Sequence, residues 1–233
     1  MVEITMARPA KNALGTETME FLLSRLDEAA GAPVLLTGTG DAFSAGLDLK
    51  ELASLDERGM ERFLRLLERL MAALFLYPGP VVALVNGHAI AGGCVLTLCA
   101  DHRVAAASPT SKIGLNELAL GLRFPPQVLA IVRHRVPPQH VERVVLGAGL
   151  FDPATALSLG LVDEVADDAR AAAERELGVR AGYEPGAYAA GKSALRGDVL
   201  PAPDEELFAR EVLPTWTSPS VREAVARVLT RKK

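Results

Sequence analysis

Short apolar runs recur along the chain with helical stretches between them, and this alternation restricts the fold more than any other feature. Val2–Met6 alternates weakly and closes at Arg8-Pro9. Val34–Thr37, Val81–Val85 and His102–Ala106 read as buried strands, and Leu161–Val165 as a returning one. Thr16–Ala30 carries Met19, Leu22, Leu23 and Leu26 at helical spacing, with Thr16 as the expected N-cap and Gly31 and Pro33 ending the helix. Glu57–Leu76 is a long amphipathic helix stopped by Pro78-Gly79-Pro80. A helical run follows Gly92-Gly93 as far as Cys99, and Asp152-Pro153 starts another helix with Gly160 as its C-cap. From about Ala166 the chain is mostly helical, and Ser218-Pro219 starts the last helix. Strands and helices in this order predict an α/β fold with parallel pairing. The text shows no internal repeat.

With 233 residues, 49% hydrophobic and 23% charged, the chain can bury one substantial core with a helical appendage. A net charge of −4 provides no footprint for nucleic acid: Arg133-His134-Arg135 is short, and the terminal Arg-Lys-Lys reads as a solvated tail. The longest apolar stretches, such as Ala89–Ala100, are too short to span a bilayer. Met1–Thr5 lacks the build of a signal peptide, so a cytoplasmic, membrane-free protein is expected. Cys94 and Cys99 have no second pair and no clustered histidines near them, which predicts reduced core thiols and no metal site.

Three segments carry residues suited to chemistry. In the first, Ala42–Leu49 follows the Val34 strand and Gly38-Thr39-Gly40. A dinucleotide fingerprint fails because Phe43 replaces its third glycine, whereas Gly46 would let the backbone approach a ligand closely. In the second, Asn86–Val95, Gly92-Gly93 open an apolar helix whose free N–H groups suit an oxyanion, or else pack tightly on a strand. In the third, Lys112–Gly121, Glu117 is the one acid in an apolar stretch. Such surroundings raise a carboxyl pKa toward values useful for proton transfer, unless the residue lies on an exposed helix face. His88 and His102 lie near these segments, without a Ser or Cys partner arranged for nucleophilic attack.

Taken together, the order and texts of these segments resemble the crotonase (enoyl-CoA hydratase/isomerase) superfamily. Phe43–Lys50 is similar to its first signature, and Asn86-Gly87 through Cys94 with Asp101-His102-Arg103 to its second. Ile113–Glu117 and Leu157–Val165 continue the match, which covers most of Arg8–Val165 with a looser echo at Ser218–Lys232. The resemblance implies a core of repeated ββα units over 1–168. It also implies a helical region over 169–233 that mediates trimerisation, giving a homotrimer or hexamer. The implied ligand is an acyl-CoA, with coenzyme A as part of the substrate and no separate cofactor. Leu47 and Gly92 would supply the oxyanion-hole N–H groups, each worth about 3 kcal/mol in the transition state. Ala45, Gly46, Leu47, Asp48 and Leu49 would line the CoA passage, Asn116 the acyl pocket, and Glu117 would be the catalytic carboxylate.

One departure decides the expected reaction. Hydratases of the family pair the Glu117 position with a second carboxylate, and here that position is Val95. A lone carboxylate is sufficient to move one proton within one substrate, as Δ3,Δ2-enoyl-CoA isomerisation requires, and Ile113–Glu117 is most similar to the isomerase branch. The alternatives are a hydratase-like enzyme acting on another acyl-CoA and a non-catalytic acyl-CoA-binding protein.

Overall fold

The computed structural model describes residues 1–231; Lys232 and Lys233, the end of the expected basic tail and of the Ser218–Lys232 echo, lie outside it. A five-stranded parallel sheet holds β1 (Val2–Met6), β2 (Val34–Gly38), β4 (Val81–Val85), β6 (His102–Ala106) and β9 (Glu164–Ala166) in that spatial order. A smaller sheet holds β3 (Ala42–Ser44), β5 (His88–Ile90), β7 (Ile113–Gly114) and β8 (Leu150–Phe151), with the last strand antiparallel. The pairs β2–β3, β4–β5 and β6–β7 each place one strand in the large sheet and the next in the small one. Helices follow the pairs: α2 (Leu49–Ser54) and α3 (Glu57–Phe75), α4 (Gly92–Cys99), then a 3-10 turn (Glu117–Leu120) and α5 (Pro126–Arg135). This is the expected α/β core of repeated ββα units.

The large sheet is buried on both faces, which accounts for its near-continuous apolar text. Side chains of a strand alternate between faces. Val34, Leu36, Val81, Ala83 and Val85 join the main core, while Leu35, Val82, Leu84 and Val104 turn to the opposite side. There they meet Ala172, Ala173 and Leu177 of a helix spanning Ala169–Ala181, so the helical region after 168 begins by covering the sheet. On the main side, α3 buries Met60, Phe63, Leu64, Leu67, Leu70, Met71 and Leu74, the stripe of an amphipathic helix. Burial of each such Leu is worth roughly 1.5–3 kcal/mol. Asp56 caps α3 by accepting from the Gly59 N–H at 2.7 Å. Among the described residues, no helix is long and apolar enough to cross a membrane.

Two local expectations are corrected. The first helix, α1 (Thr16–Ala29), has Gly15 rather than Thr16 at its N-cap. The Glu51 carboxylate of α2 reaches across instead, accepting from the Thr16 N–H at 2.9 Å and from its hydroxyl, so a distant acid replaces the local cap. The strand expected over Leu161–Val165 is confined to Glu164–Ala166. Leu161 and Val162 are buried in the core without joining the ladder, because Asp163 turns to bind Arg103 by paired contacts of 2.6 and 2.8 Å. Cys94 and Cys99 are free and fully buried, and burial pushes both thiols up to about 12.

The helix over Pro185–Arg196 is docked by charge. Asp101 accepts from the Val81 N–H at 2.7 Å, the Tyr188 hydroxyl at 2.9 Å and the Lys192 ammonium at 2.7 Å, and pairs with Arg196 at 2.9 Å. Lys192 also donates to the Gly79 carbonyl at 2.6 Å, and Arg196 to the Phe75 carbonyl at 2.8 Å. Loss of one partner from a buried pair leaves an uncompensated charge. Asp101→Ala should therefore lower the unfolding free energy by about 3–5 kcal/mol in urea titration; a loss under about 1 kcal/mol would show that the network does not hold this helix.

Candidate active site

The site begins with a strained turn. Ala10, Lys11 and Asn12 all have positive φ (56°, 60° and 57°), a left-handed run that costs non-glycine residues roughly 1–2 kcal/mol apiece. Asn12 holds the run in place. Its side-chain oxygen accepts from the Arg8 N–H at 3.1 Å, and its amide donates to the Thr39 and Ala42 carbonyls at 3.0 and 2.8 Å. The Ser44 hydroxyl donates to the Asn12 carbonyl at 2.8 Å, and the Ala45 N–H to that of Lys11 at 3.0 Å. The turn is thereby fastened to β3 and sets Lys11 beside the chain that leads to Leu47.

That chain crosses the next ββ unit at close range. Gly46 has φ +87°, and a Cβ there would lie 2.7 Å from the Ile90 carbonyl oxygen, so only glycine fits. Ala91 answers from below with φ 51° and ψ −123°, a strained N-cap that aims the start of α4 toward the crossing. The Leu14 N–H bonds the Gly46 carbonyl at 2.8 Å and the Asp48 N–H bonds the Leu14 carbonyl at 3.2 Å, which pins the chain on both sides of Leu47. The first bond of α4 runs from the Val95 N–H to the Ala91 carbonyl at 3.0 Å, leaving the Gly92 N–H ahead of it. Neither the Leu47 nor the Gly92 N–H donates to an acceptor among the described residues.

These turns border a cavity of about 340 Å³. Ala45, Leu47, Leu49, Asn116 and Glu117, all singled out from the sequence, line it together. Gly46, Asp48 and Gly92 do not. Gly46 presses on Ile90, Asp48 caps α2 through the Lys50 and Glu51 N–H groups at 2.9 and 3.2 Å, and Gly92 packs beneath the Leu47 side chain. Lys11, His88, Lys112, Leu122 and Val228 also line the cavity. Motif reading passes over Lys11, and only its neighbourhood to the first segment could have signalled it. The Lys112 N–H donates to His88 Nδ1 at 3.0 Å, fixing that ring at the cavity edge.

Glu117 is the only acid among the lining residues and is 6% exposed. Its Oε2 has no hydrogen-bond partner among the described residues. Burial pushes the carboxyl up to about 7, against a partial opposing pull from the N–H groups of Glu117 and Asn116. A buried acceptor left unpaired is the exception in folded proteins, and the side chain that carries it lines the cavity. Val95 lies fully buried in the core and does not reach the cavity.

A larger cavity of about 690 Å³ lies against the same wall, but among the described residues that line it only Arg123 and Arg133 are titratable, and none is an acid. Elsewhere His102, Glu164 and Glu176 converge within 4.8 Å in a pattern that could hold a metal. Arg175 and Arg180 already engage the two carboxylates at 3.0 and 2.7 Å, and Arg180 faces His102 Nδ1 at 3.2 Å. A metal there would have to displace two guanidinium groups.

The enoyl-CoA hydratase/isomerase family model matches residues 1–197. The chain belongs to the enoyl-CoA hydratase/isomerase (crotonase) family. Mitochondrial enoyl-CoA delta isomerase 1 of Mus musculus is 33% identical over 165 residues, covering 69% of this chain and 57% of that protein. A probable enoyl-CoA hydratase of Mycobacterium tuberculosis (strain ATCC 25618 / H37Rv) is 30% identical over 216 residues, 88% of this chain and 80% of that one. The chain thus spans little more than half the length of the mouse isomerase. Human mitochondrial delta3-delta2-enoyl-CoA isomerase shares the fold, with a TM-score of 0.88 at 24% identity over 99% of this chain and 93% of that one.

A raised carboxyl pKa links Glu117 to stability. Its proton is held more tightly in the folded state than in the unfolded one, so its contribution is complete below about 4.5 and is lost as pH rises through about 7. Relative to wild type, Glu117→Gln should be neutral at pH 4 and stabilising by roughly 3 kcal/mol at pH 8. Equal urea midpoints for the two proteins at both pH values would contradict the burial of this acid.

Proposed function

We propose that the protein is a Δ3,Δ2-enoyl-CoA isomerase in which Glu117 is the single proton carrier. The observation that carries this reading is the isolation of Glu117: one acid in the cavity lining, with one oxygen unpaired. The ionised carboxylate takes a proton from C2 of a 3-enoyl-CoA, and the electron pair passes onto the thioester oxygen as an enolate. The Leu47 and Gly92 N–H groups, which have no acceptor among the described residues, hold that charge. The enolate then collapses with the double bond moving to C2–C3, and Glu117 returns its proton to C4. Gly92 needs only its backbone for this role, consistent with its side-chain position lying outside the cavity wall.

Hydration calls for a second group to position and activate water, and no second carboxylate lines the cavity among the described residues. Lys11 and Lys112 at the cavity supply positive charge for the anionic end of a CoA thioester. The relatives named as enoyl-CoA isomerase and hydratase support an enoyl-CoA substrate in general. Exposed Val179 and Leu195 on the helices after 168, with Tyr183 in the bend between them, support assembly through this region as a homotrimer or hexamer.

Wild-type protein should convert 3-hexenoyl-CoA to the conjugated 2-enoyl thioester, followed by the absorbance of the product. Glu117→Gln should lower kcat/KM by about 10²–10⁴. Because the base must be ionised, log kcat/KM should rise with pH and level off above about 7, a limb that the variant lacks. Hydration of 2-enoyl-CoA as efficient as isomerisation, or full activity in the variant, would overturn the proposal.

A further inference from the structure

The 3-10 turn that carries Glu117 is also a partition. Side chains three residues apart stack on one face of such a turn. Glu117 and Leu120 accordingly line the 340 Å³ cavity, while Leu118 and Gly121 line the 690 Å³ cavity on the other side. The turn closes at Gly121 (φ +76°), and the Leu122 N–H bonds the Glu117 carbonyl at 3.1 Å. Leu122 is therefore tied to the turn and ends its wall. It lines both cavities and also borders a small void beside Met60, Trp216 and Val225.

The described lining of the outer cavity holds no acid, and its charged groups are Arg123 and Arg133. Leu118, Phe124, Leu129, Val145 and Leu146 give it an apolar lining, and Arg123 is engaged by Glu211 at 2.6 Å. Its contact with the Glu117 cavity is through apolar side chains, so an apolar chain passing between them would exchange one apolar surface for another at little cost.

We propose that Leu122 is a gate between the two cavities: the far end of a long acyl chain displaces it and occupies the outer cavity, so that Leu122 sets chain-length preference. The inference rests on an acyl-CoA binding beside Glu117, and it adds the class of substrate, one with a long aliphatic tail.

Binding of saturated hexanoyl-CoA and dodecanoyl-CoA, measured by calorimetry, tests the gate without requiring any reaction. The quantity of interest is the ratio of the two affinities. Leu122→Ala should raise the preference for dodecanoyl-CoA by about tenfold, and Leu122→Phe should lower it by a similar factor. Ala130 lines only the outer cavity, and Ala130→Phe should also lower the ratio by narrowing that space. The two phenylalanine variants keep the test decisive if Leu122→Ala does not fold. An unchanged ratio in the folded variants overturns the gate. Binding with no isomerisation of any 3-enoyl-CoA sinks the proposed reaction and leaves the gate standing, whereas no binding of either thioester sinks both.

Discussion

The close passage of Gly46 over the Ile90 carbonyl is the constraint on which the site depends. At a Cβ-to-oxygen distance of 2.7 Å, any side chain would force the first ββα unit away from the second. With that separation the Leu47 turn would leave the start of α4, and the two unpaired N–H groups would no longer belong to one place. The strain of Ala91 and of the left-handed Ala10–Asn12 run belongs to the same arrangement. Both are held by surrounding hydrogen bonds, Asn12 by its four-way attachment and Ala91 by accepting the first bond of α4 and donating to the Gly114 carbonyl at 2.8 Å. Strain concentrated where backbone groups face a cavity is the pattern expected of a ligand-binding site.

The second element is the apolar isolation of Glu117. A carboxylate in water would be a weak base, and a carboxylate beside a lysine would be weaker. Burial without a partner makes this one a stronger base, at a cost in stability that the remainder of the core offsets. The same 3-10 turn divides two cavities, so the position of the acid and the depth of the apolar space behind it derive from one short segment. Acid placement and proposed tail selection are therefore mechanically linked through the Glu117–Leu122 backbone bond.

Much of the fold was legible in the sequence because long elements carry a periodicity. The five strands of the large sheet and the α3 stripe follow from apolar spacing alone, with only Leu161–Val165 misjudged, where burial without pairing looks like a strand. The small sheet was not legible: its strands span two or three residues, too few for any period to register. Its threefold ββα repeat, invisible as a sequence repeat, came only from the family resemblance. The cap of α1 is not legible locally because the acid that binds Thr16, Glu51, lies far along the chain. Asp48 reads as part of a binding motif, and its carboxylate is used to cap a helix. Lys11 and Leu122 gave no signal, since a lone lysine after a proline and a leucine in apolar text resemble many others. Glu117 stood out as an acid in an apolar run, but its unpaired oxygen required the folded cavity.

In the proposed reaction one carboxylate carries the proton from one carbon of the substrate to another. Supplying 3-enoyl-CoA labelled with deuterium at C2, and locating the label in the conjugated product by NMR, addresses this directly. Part of the label should appear at C4 with wild-type protein, and Glu117→Gln should yield neither product nor transfer. Undiminished product from Glu117→Gln, with label distributed as in wild type, would contradict the proposed reaction.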